Sequence, residues 1–157
     1  MLNLFRRHKV VYTDGEIELV LAQAGLWDRE SGITDGYTFD IHLSRGGRAV
    51  GYISLRMGES PALYYLGHIG YRIEERHRGH GYALKALKLL MPLFRQEGLR
   101  DLVITNDPDN LPSRRICEKA GCVLERVAPV PREHREVCMG STHKCRYILF
   151  IPEEKSS

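Results

Sequence analysis

Apolar and polar residues alternate along Glu16–Leu21 (E-I-E-L-V-L), a period of two that predicts a strand. The alternation returns in Y-T-F-D-I-H-L-S, stops at R-G-G, and resumes in R-A-V-G-Y-I-S-L-R-M. Two alternating runs around a glycine pair predict a hairpin. Between these units, Ala22–Gly36 mixes glycine with polar residues and reads as a loop with room for a helical turn. Gly58 to Pro61 predicts another turn, and Leu63–Ile73 (L-Y-Y-L-G-H-I-G-Y-R-I) a further strand, its glycines marking a bulge or a close backbone approach. The period then changes. Ala83, Leu84, Ala86, Leu87, Leu90, Met91 and Phe94 recur at helical spacing, with Pro92 as a kink and Gly98 as the stop. D-L-V-I-T predicts a buried strand, and Asn110–Ala120 a second helix, capped by Asp109 or Asn110 and ended by Gly121. Cys122–Val127 and Lys144–Ile151 read as strands, with Pro129–Thr142 irregular between them.

The order β-ββ-β-α-β-α-β-β predicts an α/β (α+β) fold. Helices pack on a mixed, mostly antiparallel sheet of about six to seven strands. The strand-helix-strand stretch in the middle predicts a central parallel β-α-β unit. The 157 residues suit a single domain, 1-157, with 1-12 and 152-157 as loose ends.

Composition narrows the function classes. A hydrophobic fraction of 43% and a charged fraction of 27% are those of a globular chain with a real core. A net charge of +3 is too weak to argue for nucleic acid, and the short runs R-R-H-K and R-H-R read as solvated charge. No apolar run reaches the roughly 18 residues that cross a bilayer, and the N-terminus lacks the apolar stretch of a signal peptide. The expectation is a cytoplasmic protein with no membrane and no nucleic-acid partner. Cys117, Cys122, Cys138 and Cys145 form no C-x-x-C pair and read as reduced thiols. His143 and Cys145 lack the further ligands of a tetrahedral zinc site, so no metal is expected.

Residues 76–83, R-H-R-G-H-G-Y-A, carry the candidate chemistry. A glycine-rich turn from a strand into a helix presents unpaired N–H groups and the positive end of the helix dipole. That is an anion site, typically for phosphate. The string is not a P-loop, and as G-x-G-x-x-L it lacks the third glycine of the dinucleotide fingerprint. A plain solvated turn is the other reading.

Arg78-Gly79-His80-Gly81-Tyr82-Ala83 resembles motif A of the GNAT N-acetyltransferases, [Q/R]-x-x-G-x-[G/A], with Arg78, Gly81 and Ala83 matched. The register Arg76, Gly79, Gly81 also fits; the first places Ile73 where the family carries an apolar strand residue. Asn110 to Cys122 resembles a second family block, N-x-x-[AS]-x-x-x-[Y/L]-E-K-x-G-F. The hairpin and the segment I-G-Y-R-I-E look like the branch containing ribosomal-protein-alanine acetyltransferases.

The resemblance, from about Glu16 to Ile151, implies a GNAT-like fold and an N-acetyltransferase that moves acetyl from acetyl-CoA to a primary amine by direct attack. It implies pyrophosphate on Arg78, Gly79, His80, Gly81, Tyr82 and Ala83. It implies pantetheine along the strand ending near Ile73, in a splay between that strand and D-L-V-I-T, and Asn106, Asn110 and Ser113 on the far wall. Asn110 reads equally as a helix cap. Many family members carry a general-acid tyrosine where this chain has Cys117, which also reads as a small buried residue. The base candidates before the loop are Tyr64, Tyr65, His68 and Glu74; His68 has the fitting pKa. Tyr147 on the last strand is a further catalytic candidate. Asp28, Glu30, Asp35 and Asp40 either attract a cationic amine or form a solvated face. The acceptor is expected to be a small-molecule or peptide amine. The short Ala22–Gly36 segment leaves the cleft open or completed by a second chain, which keeps a homodimer open. The alternative is a non-catalytic acyl-CoA-binding module.

Overall fold

A computed structural model describes residues 9–154. The expected loose ends therefore lie partly outside the described residues, as does most of R-R-H-K. Within them, Val10–Thr13 already forms an edge strand, β1. It pairs antiparallel with β2 (Ile17–Ala24), followed by β3 (Asp35–Leu43), β4 (Gly51–Met57) and β5 (Ile69–Ile73). The second sheet orders β6 (Asp101–Asn106), β8 (His143–Phe150) and β7 (Val123–Pro129). The hairpin is as the alternation predicts, with Tyr37 opposite Leu55 and Ile41 opposite Gly51.

The described residues also hold four α-helices, α1 (Pro61–Leu66), α2 (Tyr82–Leu89), α3 (Met91–Gln96) and α4 (Leu111–Lys119), and short 3-10 turns at Glu75–His77 and Arg132–His134. Helix α1 corrects the sequence reading of Leu63–Ile73 as one strand. Ser60 caps it, its side chain accepting from the Leu63 N–H, and Pro61 sits in its first turn, where its missing N–H costs nothing. Gly67, at φ 81°, ends it. Strand character begins only at Ile69. The long helix after the glycine loop is two helices, because Pro92 supplies no N–H and the chain turns at Leu90. Between β2 and β3 there is no helix. Asp28 and Ile33 form an isolated bridge, and the Asp28 carboxylate accepts from the N–H and hydroxyl of Ser31.

Strands β5 and β6 flank α2 and α3 as expected, but they belong to different sheets. The described residues thus hold eight strands in two sheets, all paired antiparallel, and no parallel ladder. Hydrogen bonds link the second sheet to the residues just before β5. There the His68 N–H donates to Val103 O at 2.8 Å, and the Thr105 hydroxyl donates to Leu66 O at 2.9 Å.

One apolar core spans both sheets. Ile17, Leu19, Ile41, Ile53 and Leu55 from the first meet Leu102, Ile104 and Leu149 from the second. Ala86, Leu87, Leu90 and Phe94 of α2 and α3 fill the space above them. Burying such a side chain is worth about 1.5–3 kcal/mol, so this shared core holds together two sheets that few hydrogen bonds join.

Candidate active site

The loop of interest lies between β5 and α2. Gly79 and Gly81 have φ of 85° and 76°, a region that side-chain-bearing residues avoid. Nothing stands within 4 Å of where a Cβ would be on either, so the space above the turn is open. Gly81 caps α2 without any side-chain bond to its first turn, so the N–H groups there remain free for a ligand. Arg78 folds back, its Nε donating to Ile73 O at 3.0 Å, which ties the loop to the end of β5. Its remaining N–H groups face solvent. His80 stacks on Tyr82 with ring centroids 5.3 Å apart. The side chains of Tyr82 and Ala83 are buried, Tyr82 in the core, so only their backbone N–H groups can meet a ligand.

From this cradle a gap runs between β5 and β6. Across it the Tyr71 hydroxyl of β5 meets the Ser113 hydroxyl of α4 at 2.7 Å. Burial pushes the Tyr71 phenol up to about 12, so it stays protonated. Ser113 takes its place from the helix cap: its N–H donates to Asn110 Oδ1 at 3.3 Å. Asn110 is thus the cap that the sequence allowed. Asn106, at the end of β6, is only 3% exposed. Its Nδ2 donates to Cys117 Sγ at 3.6 Å, while its Oδ1 is buried with no partner. An orphaned buried carbonyl costs about 1–3 kcal/mol unless a donor arrives. The residues here suit a coenzyme arm carrying amide N–H groups.

The three catalytic candidates fare differently. Cys117 is fully buried. The neighbouring Cys122 thiol and burial push its pKa far up, which makes it a poor proton donor. Tyr147 is 2% exposed, and its hydroxyl accepts from Arg114 Nε at 3.1 Å in a half-buried contact with α4. His68 stands at the junction of the sheets, where its Nδ1 accepts the Val103 N–H at 3.0 Å. The neutral ring then carries its proton on Nε2 and has no free lone pair. Burial, with the positive charge of Arg146, lowers its pKa and keeps the ring neutral. Tyr64 lies under the Arg146 guanidinium, 3.5 Å from its ring centroid. Glu74 is exposed at the end of β5, 3.7 Å from Arg76.

The sequence reading missed Tyr71 and two arginines, Arg56, half-buried, and Arg146, buried. Arg56 lies over Gly70, where a Cβ would collide with the guanidinium, and its Nη1 donates to Gly67 O at 3.3 Å. The glycines of this segment therefore do mark a close approach, and the half-buried Arg56 guanidinium is the group that approaches. No cluster of three or more His, Cys, Asp or Glu side chains that could hold a metal occurs among the described residues.

The strand-loop-helix cradle beside an opened pair of strands defines a class. Residues 4–123 match the model of the acetyltransferase (GNAT) domain, and the chain belongs to that family. Among solved structures, a ribosomal-protein-S5-alanine acetyltransferase from Vibrio fischeri superposes with a TM-score of 0.60 at 16% identity, covering 77% of this chain and 64% of that one. A RimL ribosomal L7/L12 α-N-protein acetyltransferase superposes at 0.63 and 16% identity, covering 92% and 95%. The microcin C7 self-immunity acetyltransferase MccE, in complex with acetyl-CoA and AMP, superposes at 0.57 and 22% identity, covering 74% and 61%. The chain thus spans a little under two thirds of the Vibrio fischeri and MccE chains. A search of curated protein sequences finds no match.

Proposed function

We propose that this chain is an acetyl-CoA-dependent N-acetyltransferase that passes the acetyl group directly to a primary amine of a protein or small molecule. The observation that carries the reading is the free-amide cradle at Gly79–Ala83 opening onto the unpaired edges of β5 and β6. The pyrophosphate lies on the cradle, and the pantetheine arm takes the ladder position that β6 leaves vacant beside β5. Asn106 Oδ1 accepts one of the arm's amide N–H groups. The neutral amine attacks the thioester carbonyl, the tetrahedral oxyanion rests on a backbone N–H, and the thiolate leaves.

The amine must reach the site unprotonated. The lone pair of His68 Nδ1 is engaged by Val103, so we assign proton removal to water and not to this ring. An α-amine ionises near 8 and a lysine amine near 10.4. The acidic limb of the rate profile therefore follows the acceptor. His68 is a joint between sheets, Cys117 a packing residue and Tyr147 a core residue. Four cysteines, none disulfide-bonded, accord with a reducing, cytoplasmic setting.

The test combines a thermal-shift titration with coenzyme A and thiol release from acetyl-CoA over a panel of amines. At 100 times its Kd a ligand stabilises by about 2.7 kcal/mol. Gly81→Glu, which places a carboxylate in the anion cradle, should abolish both signals. No shift at millimolar coenzyme A refutes the proposal. A shift without turnover on any amine points to a non-catalytic acyl-CoA-binding module.

A further inference from the structure

The turn between β3 and β4 and the segment just after β5 flank an open cavity of about 350 Å³. Arg45, Gly46, Gly47, Arg48, Arg76 and His77 line it, and no carboxylate belongs to its wall. Gly46 and Gly47 have φ of 98° and 105°, with nothing within 4 Å of where a Cβ would stand. The turn is therefore a bare backbone surface flanked by two guanidinium groups. Neither Arg45 nor Arg48 takes part in an ion pair among the described residues. Arg76 stands 3.7 Å from Glu74, so its charge is partly offset.

Unpaired guanidinium groups around a concavity free of acids fit a small, densely charged anion, and their forked donors match phosphate oxygens. Position says which phosphate. Arg76 and His77 lie two to three residues before Gly79, where the cradle begins. A coenzyme whose pyrophosphate rests on that cradle carries one more phosphate, a monoester on the 3′ position of its ribose. We propose that the cavity between the β3–β4 turn and residues 76–77 binds a phosphate monoester, the 3′-phosphate of coenzyme A. This rests on the acetyl-CoA reading above and extends it to the β3–β4 turn, which neither register of motif A includes.

The experiment is calorimetric titration of the full chain with coenzyme A and with dephospho-coenzyme A. It uses the wild type and an Arg45→Ala/Arg48→Ala variant, whose changes lie outside the cradle and the gap. The wild type should bind coenzyme A about tenfold or more tightly than dephospho-coenzyme A, the scale of a charge-assisted hydrogen bond. The variant should lose that preference, with its affinity for dephospho-coenzyme A unchanged within about twofold. Adenosine 3′,5′-bisphosphate should compete with coenzyme A better than inorganic phosphate does. Equal binding of the two coenzymes by the wild type overturns the proposal. So does a variant that still discriminates. A wild type indifferent to the 3′-phosphate, with a variant whose KM rises for an acidic acceptor alone, moves the site to an acceptor-borne phosphate and also overturns it. Failure of both coenzymes to bind sinks the acetyl-CoA reading itself, a distinct result.

Discussion

The His68 ring stands where a neighbouring strand would supply a carbonyl oxygen, taking the Val103 N–H at 3.0 Å. His68→Asn can return an acceptor to that N–H, whereas His68→Ala orphans it at a cost of about 1–3 kcal/mol. Chemical denaturation should rank the two in that order, and the acidic limb of kcat/KM should stay put in both. A limb that vanishes in His68→Asn would restore the ring as a base. The sign of the pH effect on stability follows from the lowered pKa of the buried ring. As pH falls, the unfolded chain takes up the proton first, near its ordinary 6.5. The contribution is complete above about 6.5, shrinks as pH drops toward the folded value, and is lost below it. Melting temperature measured from pH 8 to 5 should show this decline in the wild type and a shallower one in His68→Asn.

Helix α1 exists because Ser60 and Pro61 start it, and its cap also fastens the loop before β3: the Ser60 hydroxyl donates to Ser31 O. Ser60→Ala should cost about 0.5–2 kcal/mol. It should speed hydrogen exchange in residues 28–33 as well as 61–66; faster exchange in the helix alone would show the loop to be independent. Strand pairing has its own tight point. A Cβ on Gly51 would overlap the Arg72 carbonyl oxygen on β5, although the backbone there needs no glycine. Gly51→Ala should destabilise by about 1–3 kcal/mol, because two strands must move apart. The exposed outer strand β7 bears a bulge between Leu124 and Arg126, two adjacent charges and Pro129, features that keep an edge from pairing with other chains.

Over the whole molecule, one core under two sheets predicts one transition. Phe94, fully buried on α3, packs in that core, and Phe94→Ala should cost about 3–5 kcal/mol. Calorimetry should still show a single cooperative peak; two peaks would mean that the sheets melt apart. Most of this architecture was legible in the chain. Period-two stretches marked β2, β3 and β4, and the glycine loop announced its helix. Local pattern misled at Leu63–Leu66, whose apolar residues suit strand or helix alike, so that only the Ser60-Pro61 start decides. The separation of β5 from β6 left no trace in the local pattern of either strand, since pairing belongs to distant segments; only the family resemblance implied a splay there. For the site, the cradle was readable because glycine and a helix start are local features. The fates of His68, Cys117 and Tyr147 were not, because each depends on a partner in another element: Val103, Asn106 and Arg114 respectively.

The gap between β5 and β6 has a cost when nothing fills it. Two inner strand edges with unpaired N–H and C=O groups are templates for any extended segment nearby. On the proposed reading, a coenzyme lying along one of them acts as a removable strand and shields both. The empty protein should therefore clump sooner than the loaded one, both while it folds and during storage. Its lifetime in a cell would then track the coenzyme supply, and a chain starved of coenzyme would be cleared before its catalytic residues ever mattered.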